Sequence, residues 1–307
     1  MAIDRTELRG EGGAALDALS PLSILRLLAD GQMAAASVVG EALPALAAAA
    51  EAMAGAIRKS GRLIYAGAGS LGLMAMADAL ELSGTYGLEP QQVVILMAGG
   101  LPGSAAGHPA LPGGPEDDGD AGRQAISDVA AGASDVVIAV TASGSTPYVL
   151  AIAEAARQRG AFVVGLANNA GAALFSHSDV AVLLPTPPEI VAGSTRLGAG
   201  TAQKIALNLM STLMASLLGH IHAGHMVNLK ADNQKLRARA QRMVSDISGI
   251  GTEEAAGHLA ASSGSVKIAV LLAAGARGVE EAERLLAAGG QHLSAALRHL
   301  KDRKARV

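Results

Sequence analysis

The sequence contains no cysteine and no tryptophan, and its aromatic residues are limited to three tyrosines and two phenylalanines. Without cysteine, neither disulfide bonds nor thiol chemistry can operate in this chain. Because aromatic rings supply so little area, the core must be built from Ala, Leu, Val, Ile and Met. Such an alanine-rich composition favours closely packed helices over a β-sandwich, since Ala leads the helix scale and strands prefer β-branched residues.

The chain also lacks a strong net charge. Its formal charge of −3 at pH 7 indicates no large basic surface, so nucleic acid is not an expected partner. The polar start MAIDRTELRGEGG has no apolar signal-peptide core. The longest apolar run, residues 205–218, is interrupted by polar side chains and is too short to cross a bilayer. We therefore expect a cytoplasmic protein without a membrane partner.

Five short apolar segments of strand length are separated by turns and by helical sequence. They are continuous hydrophobic runs rather than alternating ones, which is typical of a parallel sheet covered by helices on both faces. We predict an α/β fold, an open parallel sheet flanked by helices, whose ligand binds at the C-terminal ends of the strands. The predicted strands are residues 62–66, 92–98, 135–142, 161–167 and 180–185.

We divide the chain into an N-terminal helical segment packed on the sheet domain (1–60), the sheet domain itself (61–245) and a small C-terminal helical bundle (246–307). In the first segment, Ser20 is the predicted N-cap of a helix that has Pro21 at its first position. In the last, Thr252 begins a new helix with two acids in its first turn, and three short helices are expected up to Leu300.

One connection is too long for an ordinary loop. Residues 99–122 are rich in Pro and Gly, and a segment of this length is typically an active-site lid or disordered.

Two strand–turn–helix junctions carry the candidate ligand site. The first turn, GAGSLG at residues 67–72, matches the G-x-G-x-x-G pattern of dinucleotide-binding folds. Such a fold also needs an acid near the end of its second strand, where this chain has Met97 and Ala98, so we disfavour a dinucleotide. The second turn, TASGST at residues 141–146, is crowded with hydroxyl groups. Hydroxyls and free N–H groups at a helix N-terminus can hold a phosphate, although Ser and Thr also cap helices without any ligand.

Further motifs extend these two turns into a family resemblance. The stretches GAGSLG and TASGSTPY resemble the two phosphate turns of the sugar isomerase (SIS) fold. DALELSGTYG, GPEDD and GSTRLGAGTAQK narrow the resemblance to the N-acetylmuramic acid 6-phosphate etherases, with the glucokinase regulatory protein a more distant relative. The similarity covers nearly the whole chain.

The resemblance implies a cytoplasmic lyase of cell-wall recycling. Enzymes of this family remove the D-lactyl ether at C3 of the sugar phosphate by elimination and hydration, which leaves N-acetylglucosamine 6-phosphate and D-lactate. They use neither a metal nor a redox cofactor. The resemblance further implies a small-molecule sugar phosphate as ligand and a homodimer whose active sites share residues of both subunits.

The family's catalytic pair matches Glu81 as general acid and Glu116 as general base. Glu81 lies at the end of an apolar helix, where burial would raise its pKa and keep it protonated, whereas Glu116 lies in a polar loop that favours the ionised form. A surface acid at a helix end and a solvated acidic loop are the alternatives. The predicted phosphate and substrate contacts are Gly69, Ser70, Ser143, Gly144, Ser145, Thr146, Ser194, Arg196 and Lys204.

The chain departs from the family pattern mainly at charged positions. Leu71 stands where a serine of the phosphate turn is usual, Leu73 and Ser145 stand where arginines are usual, and Gly198 replaces a lysine. Each charged hydrogen bond contributes roughly 1.5–3 kcal/mol, so we expect weaker binding of an anion. Three functions therefore stay open: an etherase with a rearranged site, an etherase or isomerase relative that acts on a less anionic sugar phosphate, and a non-catalytic sugar-phosphate sensor.

Three histidines, His220, His222 and His225, lie within six residues and suggest a zinc or nickel site. On a helix His222 and His225 would share a face, but His220 and His222 would not, and no carboxylate stands nearby. We therefore predict surface or interface histidines rather than a metal site.

Overall fold

The computed structural model of the chain describes residues 5–100, 111, 113–231 and 233–304. It divides into two compact units. The first consists of Met1–Ala79 and Gln91–Ser211, and the second consists of Leu80–Pro90 and Thr212–Val307. The sequence-based division at 60/61 and 245/246 stays a prediction about folding segments.

The first unit contains the predicted open parallel sheet. The strands are β1 (Leu63–Gly67), β2 (Val93–Met97), β3 (Val136–Val140), β4 (Phe162–Ala167) and β5 (Val180–Leu183). They follow the order β2-β1-β3-β4-β5 across the sheet, and every neighbouring pair is parallel. All five predicted strands are present, which confirms the α/β assignment. Every residue of β1 and β3 is buried, as the continuous apolar runs predict for strands covered on both faces.

Six helices accompany this sheet along the chain. The predicted cap of the first is confirmed, because the hydroxyl of Ser20 accepts a hydrogen bond from the backbone N–H of Ser23 at 3.2 Å, with Pro21 in the first turn. The helices are α1 (Pro21–Ser37), α2 (Leu43–Arg58), α3 (Gly69–Tyr86), α4 (Gly119–Asp128), α5 (Pro147–Gln158) and α6 (Gly198–Leu217). By length and composition alone the stretch Pro21–Arg58 could span a membrane, with 33% of its most apolar window buried.

One face of the sheet forms a core with α4 and α5. Ile64, Val137 and Val163 stand at neighbouring positions on β1, β3 and β4, and they pack in one cluster with Ile126 of α4 and Ile152 of α5. All five side chains are fully buried. This core holds the C-terminal ends of β1 and β3 side by side.

The second unit contains a short antiparallel hairpin, β6 (Ile221–His222) with β7 (His225–Met226), and a helical bundle. The bundle consists of α7 (Gln234–Ser248), α8 (Thr252–Ala261), α9 (Val266–Ala273), α10 (Val279–Ala288) and α11 (Leu293–Lys304). The expectation of three helices after Thr252 was wrong, because four are present between Thr252 and Lys304. The short α9 is separated from the next helix by a turn at Gly275, which has a φ of +97°, and eight residues are too few for a clear helical period.

Candidate active site

A cavity of about 180 Å³ opens at the C-terminal ends of β1 and β3. Since Gly67 of β1 pairs with Val140 of β3, the turns that follow these strands meet at one edge of the sheet, where open α/β folds bind their ligands. A larger cavity of about 510 Å³ lies in the second unit, which contains none of these strands. The smaller cavity is lined by Thr6, Glu7, Ala68, Leu71, Glu116, Val140, Thr141, Ala142, Ser143, Thr146, Gly193 and Thr195.

The first turn, residues 67–72, contributes an apolar wall. Ala68 and Leu71 line the cavity, whereas Ser70 and Gly69 are not among the lining residues. The glycines have a packing reason, because a Cβ on Gly67 would lie 2.6 Å from the Cα of Gly72. This turn is therefore tight because strand and helix touch, and the residue it presents to the cavity is the leucine that replaces the usual serine.

The second turn, residues 141–146, is a network of hydroxyl groups. The hydroxyls of Thr141 and Thr146 lie 2.7 Å apart, and the hydroxyl of Ser143 accepts hydrogen bonds from the N–H and the hydroxyl of Ser145, at 3.2 and 3.0 Å. Ser143 and Thr146 line the cavity, and Ser145 is exposed outside that lining. Gly144 has a φ of +78°, and a Cβ there would collide with Ala172.

The N-terminus of α5 lies directly behind this turn. Thr146 is its N-cap residue but makes no side-chain cap hydrogen bond, because its hydroxyl pairs with Thr141 instead. The first N–H groups of a helix have no partner within the helix, and they carry the positive end of the helix dipole. With hydroxyls in front and uncapped N–H groups behind, the turn has the chemistry of an anion site.

The N-terminus of α6 is closed by the protein itself. The buried carboxylate of Glu189 accepts hydrogen bonds from the backbone N–H groups of Gly198 and Ala199, both at 2.9 Å. Two helix starts in the first unit therefore differ in what they offer, since α5 begins without a side-chain cap whereas α6 already binds an internal carboxylate.

Glu116 lies in a short 3₁₀ turn, Gly114–Asp117, that precedes α4. Its half-buried side chain lines the cavity, and its Oε1 lies so near the first turn that a Cβ on Gly69 would be 2.5 Å away. Burial raises the pKa of Glu116, and the negative charge of Asp117 raises it further. Asp118 has a different task, because its carboxylate caps α4 by accepting a hydrogen bond from the N–H of Ala121 at 2.8 Å.

Glu81 lies on α3, in the part counted with the second unit. The expectation that it is buried was wrong for the single chain, because the residue is exposed. Its carboxylate accepts one long hydrogen bond, 3.4 Å, from the hydroxyl of Thr85 on the next helical turn. Of its two leucine neighbours, Leu82 is buried whereas Leu80 is 65% exposed, so Glu81 lies on the exposed side of the helix. Glu116 also differs from its expectation, because burial raises its pKa whereas a polar loop was expected to favour its ionised form.

Comparisons with known proteins identify the family of this chain. Two models described as "SIS domain" match residues 30–168 and 127–217. The chain is 45% identical over 287 residues to the N-acetylmuramic acid 6-phosphate etherase of Deinococcus radiodurans, covering 93% of each chain. It is 40% identical over 284 residues to the same enzyme of Streptomyces avermitilis, covering 92% of this chain and 90% of the relative. This chain belongs to the N-acetylmuramic acid 6-phosphate etherase family.

Among solved structures, a phosphoheptose isomerase from Francisella tularensis is similar with a TM-score of 0.47 and 16% identity. The match covers 64% of this chain and all of that one.

Three further predicted contacts of this etherase-family chain are not among the residues that line the cavity. Ser194 is half-buried, and Arg196 and Lys204 are exposed; Gly193 and Thr195, the neighbours of Ser194, form the wall. Lys204 is near enough to the buried Asp78 that its positive charge offsets part of the burial that raises the pKa of that carboxyl. The roles of Ser194, Arg196 and Lys204 therefore stay predictions.

Three cavity residues or neighbours were not predicted from the etherase motifs. Thr6 and Glu7 line the cavity from the N-terminal segment. The buried Asn169, just after β4, donates hydrogen bonds from its side-chain amide to the hydroxyl of Thr6 at 3.1 Å and to the carbonyl of Ser143 at 3.2 Å. The sequence TELRG lies within the family resemblance, but a polar N-terminal segment carries no local sign that it returns to the sheet.

The histidine cluster lies on the hairpin of the second unit, where His222 pairs with His225 across the two strands. The helical geometry considered for this cluster is therefore wrong. Burial lowers the pKa of His220 to about 4. Within the described ranges, no group of three or more His, Cys, Asp or Glu side chains is arranged to hold a metal ion. Part of the predicted lid, residues 101–110 and 112, lies outside the described residues.

Proposed function

We propose that this chain cleaves the D-lactyl ether of N-acetylmuramic acid 6-phosphate and releases D-lactate and N-acetylglucosamine 6-phosphate. The name shared by its relatives supports this reaction. The observation that carries it in this chain is the cavity at the ends of β1 and β3, where the half-buried carboxylate of Glu116 and a hydroxyl-rich turn line the same space.

The phosphate of the substrate binds at the second turn. Ser143 and Thr146 supply hydroxyl donors, and the uncapped N-terminus of α5 supplies N–H groups and the positive end of its dipole. Leu71 forms an apolar part of the cavity wall, which suits the apolar parts of the ligand. Without the arginines usual at positions 73 and 145, the helix N-terminus carries more of the phosphate binding.

Glu116 is the base that takes the proton from C2 of the open-chain sugar, next to the C1 aldehyde. The electron pair forms the C2–C3 double bond, the C3–O bond breaks, and the lactate oxygen leaves with a proton supplied by a general acid. Water then adds its oxygen to C3 and a proton returns to C2, which completes the product. A raised pKa makes the ionised Glu116 a stronger base, so its partial burial supports this role.

Glu81 is the acid in this proposal, and a second subunit would supply the burial that the single chain lacks. Large apolar side chains of α1 and α2 are exposed, among them Leu25 and Met33 at 64% each and Leu43 at 52%. A homodimer would cover such a surface, in line with the shared active sites that the family resemblance implies. The same resemblance supports a location in the cytoplasm.

The decisive experiment measures D-lactate release from N-acetylmuramic acid 6-phosphate. Glu81→Gln and Glu116→Gln are each expected to lower kcat about 10²–10⁴-fold, while Asp120→Asn, an exposed acid beside the same loop, serves as the matched control and keeps the activity. A folded wild type that binds the product but releases no lactate would point to a sugar-phosphate sensor. Interconversion of sugar phosphates without lactate would point to an isomerase.

Sedimentation velocity tests the dimer. We expect the wild type to sediment as a dimer and Leu25→Asp to sediment as a monomer. A monomeric wild type that is fully active would contradict the shared-site arrangement.

A further inference from the structure

The N-terminal segment between Thr6 and Gly13 is attached to the first unit by its backbone. The N–H of Gly10 donates to the carbonyl of Glu189 at 2.7 Å, and Arg9 forms a parallel bridge with Glu189. The approach is so close that a Cβ on Gly10 would lie 2.7 Å from the carbonyl oxygen of Pro188. The segment is therefore a fixed part of the cavity wall rather than a loose terminus.

Asn169 ties this segment to the second turn. Its side-chain amide donates both to Thr6 and to the backbone carbonyl of Ser143, and both Thr6 and Asn169 are buried. The side-chain oxygen of Asn169 is buried without a hydrogen-bond partner among the described residues. A buried polar atom without a partner is rare in folded proteins, so this oxygen is open to a hydrogen-bond donor from a ligand or a water molecule. One side chain thus fixes the position of Thr6 relative to the turn that binds phosphate.

Glu7 follows Thr6 and brings a second carboxylate to the cavity besides Glu116. Its Oε2 lies close to Gly193, where a Cβ would be 3.4 Å away. Within the described part of the chain, the Glu7 carboxylate has neither an ion pair nor a side-chain hydrogen bond. An unpaired carboxylate accepts hydrogen bonds but repels phosphate and carboxylate groups, so it suits only the uncharged part of an anionic sugar.

We propose that Glu7 is a specificity-determining residue that accepts a hydrogen bond from a hydroxyl or amide N–H of the sugar, and that Asn169 is the positioning residue that holds Glu7 there. This rests on the proposed function, because it takes a sugar phosphate as the ligand. The phosphate end lies at the second turn, and the donor groups of the sugar lie towards the N-terminal segment. Glu7 then distinguishes a sugar phosphate from phosphate alone.

The test compares the binding of N-acetylglucosamine 6-phosphate and of inorganic phosphate by titration calorimetry. Glu7→Gln is expected to weaken the sugar phosphate about 10-fold, the effect of one hydrogen bond to a charged group, and to leave inorganic phosphate within about 2-fold. Glu11→Gln is the matched control, because Glu11 is an exposed acid of the same segment that does not line the cavity. It should change neither affinity.

Asn169→Ala separates positioning from general damage. In the wild-type background it is expected to weaken the sugar phosphate more than inorganic phosphate. When Glu7 is already Gln it should weaken the sugar phosphate no further, because Asn169 acts through the position of Glu7. Melting temperatures of all variants are measured alongside, so that a loss of fold is recognised.

Two results would overturn the inference. If Glu7→Gln binds the sugar phosphate as tightly as wild type does, or loses no more than Glu11→Gln, Glu7 does not touch the sugar. If wild type binds inorganic phosphate but not the sugar phosphate, the proposed function fails and this inference fails with it. The first result leaves the binding of the sugar phosphate by wild type intact and the second does not, so failure of the Glu7 inference can be told apart from failure of the proposed function.

Discussion

The two turns at the ends of β1 and β3 share one plan, strand, turn and helix, but they differ in chemistry. The first turn, residues 67–72, carries the glycine pattern, and its glycines serve the contact between Gly67 and Gly72. The second turn, residues 141–146, carries only one glycine, and its hydroxyls form the polar wall of the cavity. A glycine-rich pattern therefore reports close backbone packing, whereas the ligand chemistry depends on the side chains that the turn presents.

The two turns also lie against different parts of the protein. The first turn lies against the carboxylate of Glu116, and the second lies in front of a helix N-terminus without a side-chain cap. A carboxylate and a hydroxyl-rich helix start therefore line one cavity of about 180 Å³. Four predictions test this contrast, and a fifth concerns the effect of Glu116 on stability.

The largest expected effect separates the two positive-φ glycines. Gly144→Ala combines left-handed strain with a collision against Ala172, so we expect the free energy of unfolding to fall by about 2–5 kcal/mol. Gly69→Ala has the same strain, but its close neighbour is the end of the flexible Glu116 side chain, so the loss should be about 1–2 kcal/mol. Urea denaturation measures both. The rate of lactate release by Gly69→Ala should nevertheless fall by more than its loss of stability explains. Equal losses of unfolding free energy in Gly69→Ala and Gly144→Ala would contradict the contrast.

The second prediction concerns phosphate affinity. Thr146→Val removes a hydroxyl from the cavity wall and the 2.7 Å hydrogen bond to Thr141, and we expect the Kd of inorganic phosphate to rise about 5–10-fold. Ser70→Ala, outside the cavity lining, should change it less than about 2-fold. Titration calorimetry provides the values, and a larger effect at Ser70 would move the anion site to the first turn.

The third prediction restores the residue usual in the family. Leu71→Ser replaces an apolar wall residue with a hydroxyl, and phosphate should bind about 2–4-fold more tightly because a neutral hydrogen bond contributes modestly. Leu71→Ala is the control for the lost side-chain volume. If both variants bind phosphate equally, the first turn does not reach the anion.

The smallest effect is a shift in pH dependence. Asp117 raises the pKa of Glu116 through its negative charge, so Asp117→Asn should lower that pKa and move the acid limb of kcat/KM to lower pH. Asp118→Ala, which removes the side-chain cap of α4, should reduce stability without moving the limb. Initial rates of lactate release between pH 4 and 8, roughly the range of a perturbed carboxyl, measure the shift. If the acid limb does not move in Asp117→Asn, the ionisation of Glu116 does not control kcat/KM.

The sign for stability follows from the same shift. The pKa of Glu116 is raised in the folded protein, so folding disfavours its ionised form. The resulting destabilisation is largest above the folded pKa and disappears as the pH falls through that pKa towards the unfolded value. Glu116→Gln should therefore unfold no more easily than wild type at neutral pH.

Local signals in the sequence located most of the fold. The apolar runs predicted all five parallel strands, and the Ser20–Pro21 pair predicted the start of α1, because strand burial and helix capping depend on neighbouring residues. One of the four helices described after Thr252 was missed, since α9 has only eight residues. The exposure of Glu81 was missed because an apolar helix sequence does not by itself say which side its few polar residues face.

The two strand–turn–helix junctions and the glutamate that matches the family's base could be predicted from the sequence, since they depend on residues close together in the chain. Which side chains meet in the cavity depends on the tertiary structure. Asn169 joins Thr6 to Ser143, and Glu189 rather than a ligand occupies the start of α6. These contacts join residues far apart in sequence, and their hydrogen bonds form only after the sheet has brought the segments together.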